Sequence, residues 1–332
     1  MTNPLDLKRI HHVEFYVSNA KQAAYYYREA FGFDWVGYLG FETGFREICS
    51  YALKQNKAHF VLTSSYQSTG LIADHVKRHG DGVRDIAFEV DDVDAAYAAA
   101  LERGASSAIE PITRSDQNGS IRHAAIKTYG DTIHSFIDKQ DYKGPFLPGY
   151  DERSERGEGT GIQYIDHVVG NVEVGRMDYW CDWYERVLGF ERYITFDDET
   201  IKTEYSSLMS VVMSDDRQVI KFPINEPAAG KRKSQIDEYL DFYEGAGVQH
   251  LALATADVCH TVSDLRRRGV EFLDVPETYY ETIWDHVGEI NEDADLVRRL
   301  GILADRDDDG YLLQLFTKPV QDRPTLFFEF IQ

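Results

Sequence analysis

Short apolar stretches with strand-like alternation give way to helical spacing, and this order recurs along the chain. "IHHVEFYV" from Ile10 predicts a strand, and "AAYYYREAFGF" predicts a helix stopped at Gly32. "IDHVVGNV" from Ile165 and "YWCDWYERVLGF", stopped at Gly189, repeat that order. Glycine ends such helices because it accepts left-handed dihedrals. A second pair matches as closely. "GDGVRDIAFEVDDVDAAYAAALERGA" contains Asp85, and "GAGVQHLALATADVCHTVSDLRRRGV" contains His250. Asp92 and Asp257 stand at the predicted helix N-caps, and Gly104 and Gly269 close those helices.

The repeats predict four modules of βαβββ type, paired into two domains. The fold class is therefore α+β, each domain an open, barrel-like mixed sheet with outer helices. Residues 1–138 form the first domain in this reading and 162–332 the second. Between them, 139–161 is rich in Gly, Pro and charge without periodicity, and reads as a linker. The second half carries an insertion from about Glu277 to Gly310, with a helical pattern near Ala294 to Leu300.

Composition narrows the function classes. The 332 residues are 43% hydrophobic and 13% aromatic, enough for a large core. A formal charge of -22 opposes contact with nucleic acid or an anionic membrane. Cys49, Cys181 and Cys259 are few and widely spaced, which predicts reduced thiols in a cytoplasmic protein. No apolar run reaches membrane-span length, and the first residues lack a signal-like core.

The first strands of the modules carry His12, Asp85, His167 and His250 at matching places. A lone histidine in a strand is more often core than ligand, so the repeat has to supply the discrimination. Aligning "FEFI" near the C-terminus on "HSFI" sets Glu329 opposite Ser135. The second half thus offers His167, His250 and Glu329, whereas the first offers His12, Asp85 and Ser135. Two imidazoles and a carboxylate can hold one face of an octahedral metal and leave positions open, as in non-haem Fe(II) oxygenases. A carboxylate within "FFEFI" is costly to bury unpaired, and a bound cation would offset that cost. The plainer alternative for Glu329 is an edge-strand residue facing water. Two other signals are set aside. His75 and His79 in "DHVKRH" read as a solvated helix face, and "DRDDDG" from Asp305 as an acidic turn.

"IDHVVGNV", "SSLMSVVMS", "FPINEP", "KRKSQIDEYLDFYEGAGVQHLALAT", "YLLQLFTKP" and "RPTLFFEFIQ" together resemble the 4-hydroxyphenylpyruvate dioxygenases of the vicinal-oxygen-chelate superfamily. The resemblance runs along the whole chain and implies His167, His250 and Glu329 as ligands of Fe(II), with dioxygen as co-substrate. It implies Ser210, Asn225, Gln235, Gln249, Gln314, Phe316 and Phe327 as the pocket for an aromatic α-keto acid. It further implies conversion of 4-hydroxyphenylpyruvate to homogentisate in tyrosine catabolism. A homodimer or homotetramer, assembled through the first half, is expected. Members of the family continue into a C-terminal helix that covers the site, so such a lid is expected beyond Gln332. The rival readings are a 4-hydroxymandelate synthase, which hydroxylates the side chain of the same substrate, a non-catalytic ligand-binding protein of this fold, and a glyoxalase-like isomerase. Asn225 favours the homogentisate route, and the His/His/Glu set argues against the isomerase.

Overall fold

The computed structural model describes residues 3–196, 208–228, 233–307 and 310–332. The first half runs β1 (Arg9–Tyr16), α1 (Ala20–Glu29), β2 (Asp34–Leu39), β3 (Ile48–Gln55) and β4 (Ala58–Ser65). After α2 (Leu71–His79) come β5 (Gly82–Glu89), α3 (Val93–Glu102), β6 (Ser107–Asp116), β7 (Gly119–Lys127) and β8 (Ile133–Asp138). A further strand, β9 (Asp151–Glu155), leads to the second half. That half runs β10 (Ile162–Asn171), α4 (Met177–Leu188), β11 (Glu191–Phe196), β12 (Leu208–Ser214) and β13 (Lys221–Pro227). Then follow α5 (Gln235–Tyr243), β14 (Gly247–Thr255), α6 (Val258–Arg267), α7 (Ile283–Val287), α8 (Ala294–Leu300), β15 (Leu303–Asp307), β16 (Gly310–Phe316) and β17 (Phe327–Ile331). The βαβββ order occurs four times, with α7 and α8 in the predicted insertion.

The strands make two mixed sheets. One is ordered β6-β7-β8-β5-β1-β4-β3-β2-β9 and the other β11-β12-β13-β10-β14-β17-β16-β15. In each, an antiparallel central pair joins two modules: β1 with β5, and β10 with β14. Their registers correspond, with His12 opposite Ala87 and His167 opposite Ala252. Each histidine directly follows a register shift, between Ile10 and His12 in β1 and between Ile165 and His167 in β10. An extra residue in one strand re-aims the side chains beside it. Local capping agrees with the sequence: Asp92 accepts from the Ala95 amide and Asp257 from the His260 amide.

The stretch read as a linker is not free chain. It contains β9, which pairs antiparallel with β2 and extends the first sheet. Its residues, "DERSE", are polar on both faces, so no alternation announces an edge strand. Beyond it, Thr160 is fully buried and donates to the Phe31 carbonyl.

The two halves share one hydrophobic core. Phe328 of β17 packs edge-on against Tyr27 of α1 and Phe31 just beyond its end, with centroids 5.6 and 5.0 Å away. His134 of β8 meets Tyr184 of α4 through an Nε2 to hydroxyl hydrogen bond of 2.8 Å. The predicted solvated face of α2 is likewise buried: His75 and His79 are only 4% and 3% exposed. The His79 ring stacks on Tyr243 of α5, 4.2 Å away, and its Nδ1 donates to the Tyr243 carbonyl. Charged neighbours in "DHVKRH" gave the helix a polar look, but α2 docks by its histidine side. All three cysteines are free and buried. Among the described residues, no helix is long and apolar enough to cross a membrane.

Candidate metal centre

Three adjacent strands bring His167, His250 and Glu329 together. Ala252 of β14 lies directly between His167 of β10 and Glu329 of β17 in the ladder. Its methyl leaves space for both longer side chains. His250, two residues earlier on the same strand, shares that face. His167 Nε2 is 3.1 Å and His250 Nε2 3.3 Å from the same carboxylate oxygen, Glu329 Oε2. Donors at right angles on a metal with bonds of about 2.0–2.2 Å are about 3 Å apart, so this spacing fits one cation.

The tautomers fit as well. His167 Nδ1 donates to Asp166 Oδ2 at 2.9 Å, and His250 Nδ1 donates to Gln249 Oε1 at 3.1 Å. With both Nδ1 atoms committed, the neutral rings turn their Nε2 lone pairs toward Glu329. Lone pairs facing a carboxylate require a positive charge between them. Without a metal, a proton supplies it. Burial works against a charged His167, but Glu329 and Asp166 outweigh it and raise its pKa to about 9. Burial works against an ionised Glu329 too, but the two histidines bring it down to about 2. Burial lowers His250.

The expected pocket residues are placed unequally. Phe327 stacks on the His250 ring at 4.7 Å, and Phe316 meets that ring edge-on at 5.8 Å. Phe316 pairs with Glu329 in the ladder, and Gln314 with Ile331. Ser210 and Asn225 are direct partners on β12 and β13, both buried, and the Asn225 Oδ1 has no hydrogen-bond partner among the described residues. Gln249 is buried and serves His250 directly. Gln235 is exposed at the first turn of α5, next to residues 229–232, which lie outside the described segments. Three further residues were not foreseen. Asp166 bonds the His167 ring and Lys221 bonds Asp166, and the fully buried Asn171, opposite Asn225, has both side-chain polar atoms unpartnered among the described residues. Only Asn171 had a sequence signal, as a polar residue ending an apolar strand.

The matching positions of the first half do not converge on a cation. Ser135 donates from its amide and its hydroxyl to Asp85, and His12 Nδ1 lies 2.7 Å from His11 Nδ1. This sheet instead curls around a cavity of about 590 Å³, lined by His12, Glu14, Asp85 and His123 among others. Burial raises the Asp85 carboxyl from 3.8 to about 7. A raised carboxyl stabilises the fold fully below its unfolded pKa, and that stability is lost as pH rises through the folded value. Wild type should therefore lose stability between about pH 4 and pH 7 through this group, on the order of a few kcal/mol. Asp85→Asn, which stays neutral and can still bond Ser135, should flatten that part of a Tm-against-pH curve. Parallel curves for the two proteins would refute it.

Among the described residues, one other group of three donors lies within 4.8 Å: His75, His79 and Asp131. Two guanidiniums attend it. Arg78 is 3.6 Å from the Asp131 carboxylate, and Arg84 donates to the Asp131 carbonyl. Those charges oppose a cation there, whereas the triad has Glu329 and Asp166 against Lys221.

The sequence profile of the Glyoxalase/Bleomycin resistance protein/Dioxygenase superfamily matches residues 9–128 and 164–315. A 4-hydroxyphenylpyruvate dioxygenase of Dictyostelium discoideum is 49% identical over 97% of this chain and 91% of its own length. One of Aspergillus fumigatus is 46% identical over 97% of this chain and 86% of its own. Among solved structures, a triple mutant of 4-hydroxymandelate synthase from Streptomyces coelicolor superposes with a TM-score of 0.86. It is 29% identical and covers 98% of this chain and 93% of its own. The duplicated strand grammar and the likeness to relatives sharing nearly half their residues lead to one assignment: the chain belongs to the 4-hydroxyphenylpyruvate dioxygenase family.

Proposed function

We propose that the protein converts 4-hydroxyphenylpyruvate and dioxygen to homogentisate and carbon dioxide, with Fe(II) held by His167, His250 and Glu329. The observation that carries this reading is the convergence of both Nε2 atoms on Glu329 Oε2 while both Nδ1 atoms are engaged elsewhere. Fe(II) held there would supply the dioxygen chemistry of an oxidative decarboxylation, one oxygen atom of O2 ending in the shortened side chain's carboxylate and the other on the ring. The chain's own residues bind and orient. Phe316 and Phe327 wall the space beside His250 and suit an aromatic ring. Ser210, Asn225 and Gln314 offer neutral donors and acceptors to a phenol or carboxylate, because amides and hydroxyls satisfy both without added charge. Gln235 joins this set only if its side chain turns inward from its exposed place on α5.

The same reading places the enzyme in tyrosine catabolism in the cytoplasm, as a homodimer or homotetramer without nucleic acid or membrane partners. Light scattering on the purified chain tests the assembly.

Asn225→Ala tests the pocket. The variant should keep wild-type metal content, since Asn225 is not a ligand, but show a raised KM or a changed product ratio. The loss of one hydrogen bond to substrate is worth about 0.5–1.5 kcal/mol, roughly a threefold to tenfold change in kcat/KM. Unchanged kinetics and an unchanged ratio of homogentisate to 4-hydroxymandelate would remove Asn225 from the pocket.

A further inference from the structure

The His167 ring is held by a chain of charges that the three metal donors do not require. Asp166 precedes His167 in β10, and strict alternation would send its side chain to the opposite face of the sheet. The register shift between Ile165 and His167 breaks that alternation. Asp166 thereby reaches its own neighbour, with Oδ2 at 2.9 Å from His167 Nδ1. Lys221 stands directly opposite His167 in the β10–β13 ladder. Its ammonium donates to both oxygens of Asp166, at 3.0 and 3.1 Å. The aspartate and the imidazole are each only 15% exposed, so water competes weakly for these bonds.

The first half provides an internal comparison. Its strand β1 has the same register shift before His12. The residue before His12 is His11, and His59 precedes Phe60, the β4 partner of Val13. Histidines therefore stand where the second half has Asp166 and Lys221. In the first half the donors do not converge, so at these matched positions the carboxylate and the ammonium accompany the triad.

We propose that Asp166, braced by Lys221, is a positioning residue that fixes the tautomer and ring angle of His167 and so sets how tightly the site holds its metal. This rests on the reading of His167, His250 and Glu329 as a metal site. A carboxylate on the far nitrogen of a ligating histidine is the general device for this, and its loss typically weakens metal binding by about 10–100-fold.

The test titrates Co(II) into the metal-free full chain, following calorimetry and the visible absorption of the bound ion. Wild type should bind one Co(II), and His167→Ala should lose it. Binding by His167→Ala with wild-type affinity would overturn the metal site, and this inference with it. Asp166→Asn keeps the side-chain shape and an acceptor but loses the charge. It should raise the Co(II) Kd by about 10–100-fold and shift the visible bands. Lys221→Met should weaken binding about threefold to tenfold, a smaller effect because it acts through Asp166, and Lys221→Arg should restore it. A wild-type Kd and spectrum in Asp166→Asn would overturn the inference while leaving the metal site intact. Should Asp166→Asn fail to fold, the lysine pair decides: equal Kd values for wild type, Lys221→Met and Lys221→Arg would overturn it equally.

Discussion

Glu329→Ala is expected to lose the bound metal and with it all measurable turnover. Glu329 is 2% exposed, and its Oε2 is the one atom that both histidines approach. Removing it deletes a donor and also the negative charge that offsets a divalent cation in a dry site. The fall in metal affinity should exceed the 10–100-fold seen when only outer partners of a ligand are changed. Glu329→Gln separates chemistry from packing. It fills the same space but offers a neutral, weaker donor, so it should fold as wild type and still lose most of its metal. Metal stoichiometry by elemental analysis, alongside the melting temperature of the metal-free proteins, checks both expectations. Full metal content in either variant would remove Glu329 from the site.

The second large effect belongs to stability. Phe328 alternates with Glu329 on β17, so its ring points away from the site into the shared core. It is fully buried, and its ring meets Tyr27, Phe31 and Phe60 of the other half at 5.6, 5.0 and 5.7 Å. Phe328→Ala should destabilise the fold by about 3–5 kcal/mol, from lost burial plus the cavity left behind. Denaturant unfolding followed by tryptophan fluorescence reads the loss. Because β17 carries Glu329 as the next residue, the variant should also bind metal more weakly. A loss below about 1 kcal/mol would mean that the two halves are not joined through this ring.

Much of the architecture was legible because its signals are local. Alternation, aspartate N-caps and helix-ending glycines mark the four modules, and the repeat sets His250 against Asp85 and Glu329 against Ser135. What escaped was long-range. Strand β9 has no apolar face, and its partner β2 lies in a distant part of the chain. The burial of His75 and His79 depends on α2 docking against Tyr243, which no helical pattern within "DHVKRH" discloses. Asp166 reads as a polar residue beside a ligand, and only the register shift shows that it turns toward His167. Lys221 comes under that ring through strand pairing alone. Gln235 is the converse case, expected in the pocket by resemblance and found exposed on α5.

The central claim is that this site converts 4-hydroxyphenylpyruvate to homogentisate. Its most direct test is anaerobic reconstitution of the full chain with Fe(II), addition of 4-hydroxyphenylpyruvate and then oxygen, and chromatographic identification of the product. Homogentisate formed in step with oxygen consumed and carbon dioxide released is the predicted result. No oxygen uptake, or 4-hydroxymandelate as the product, would contradict it.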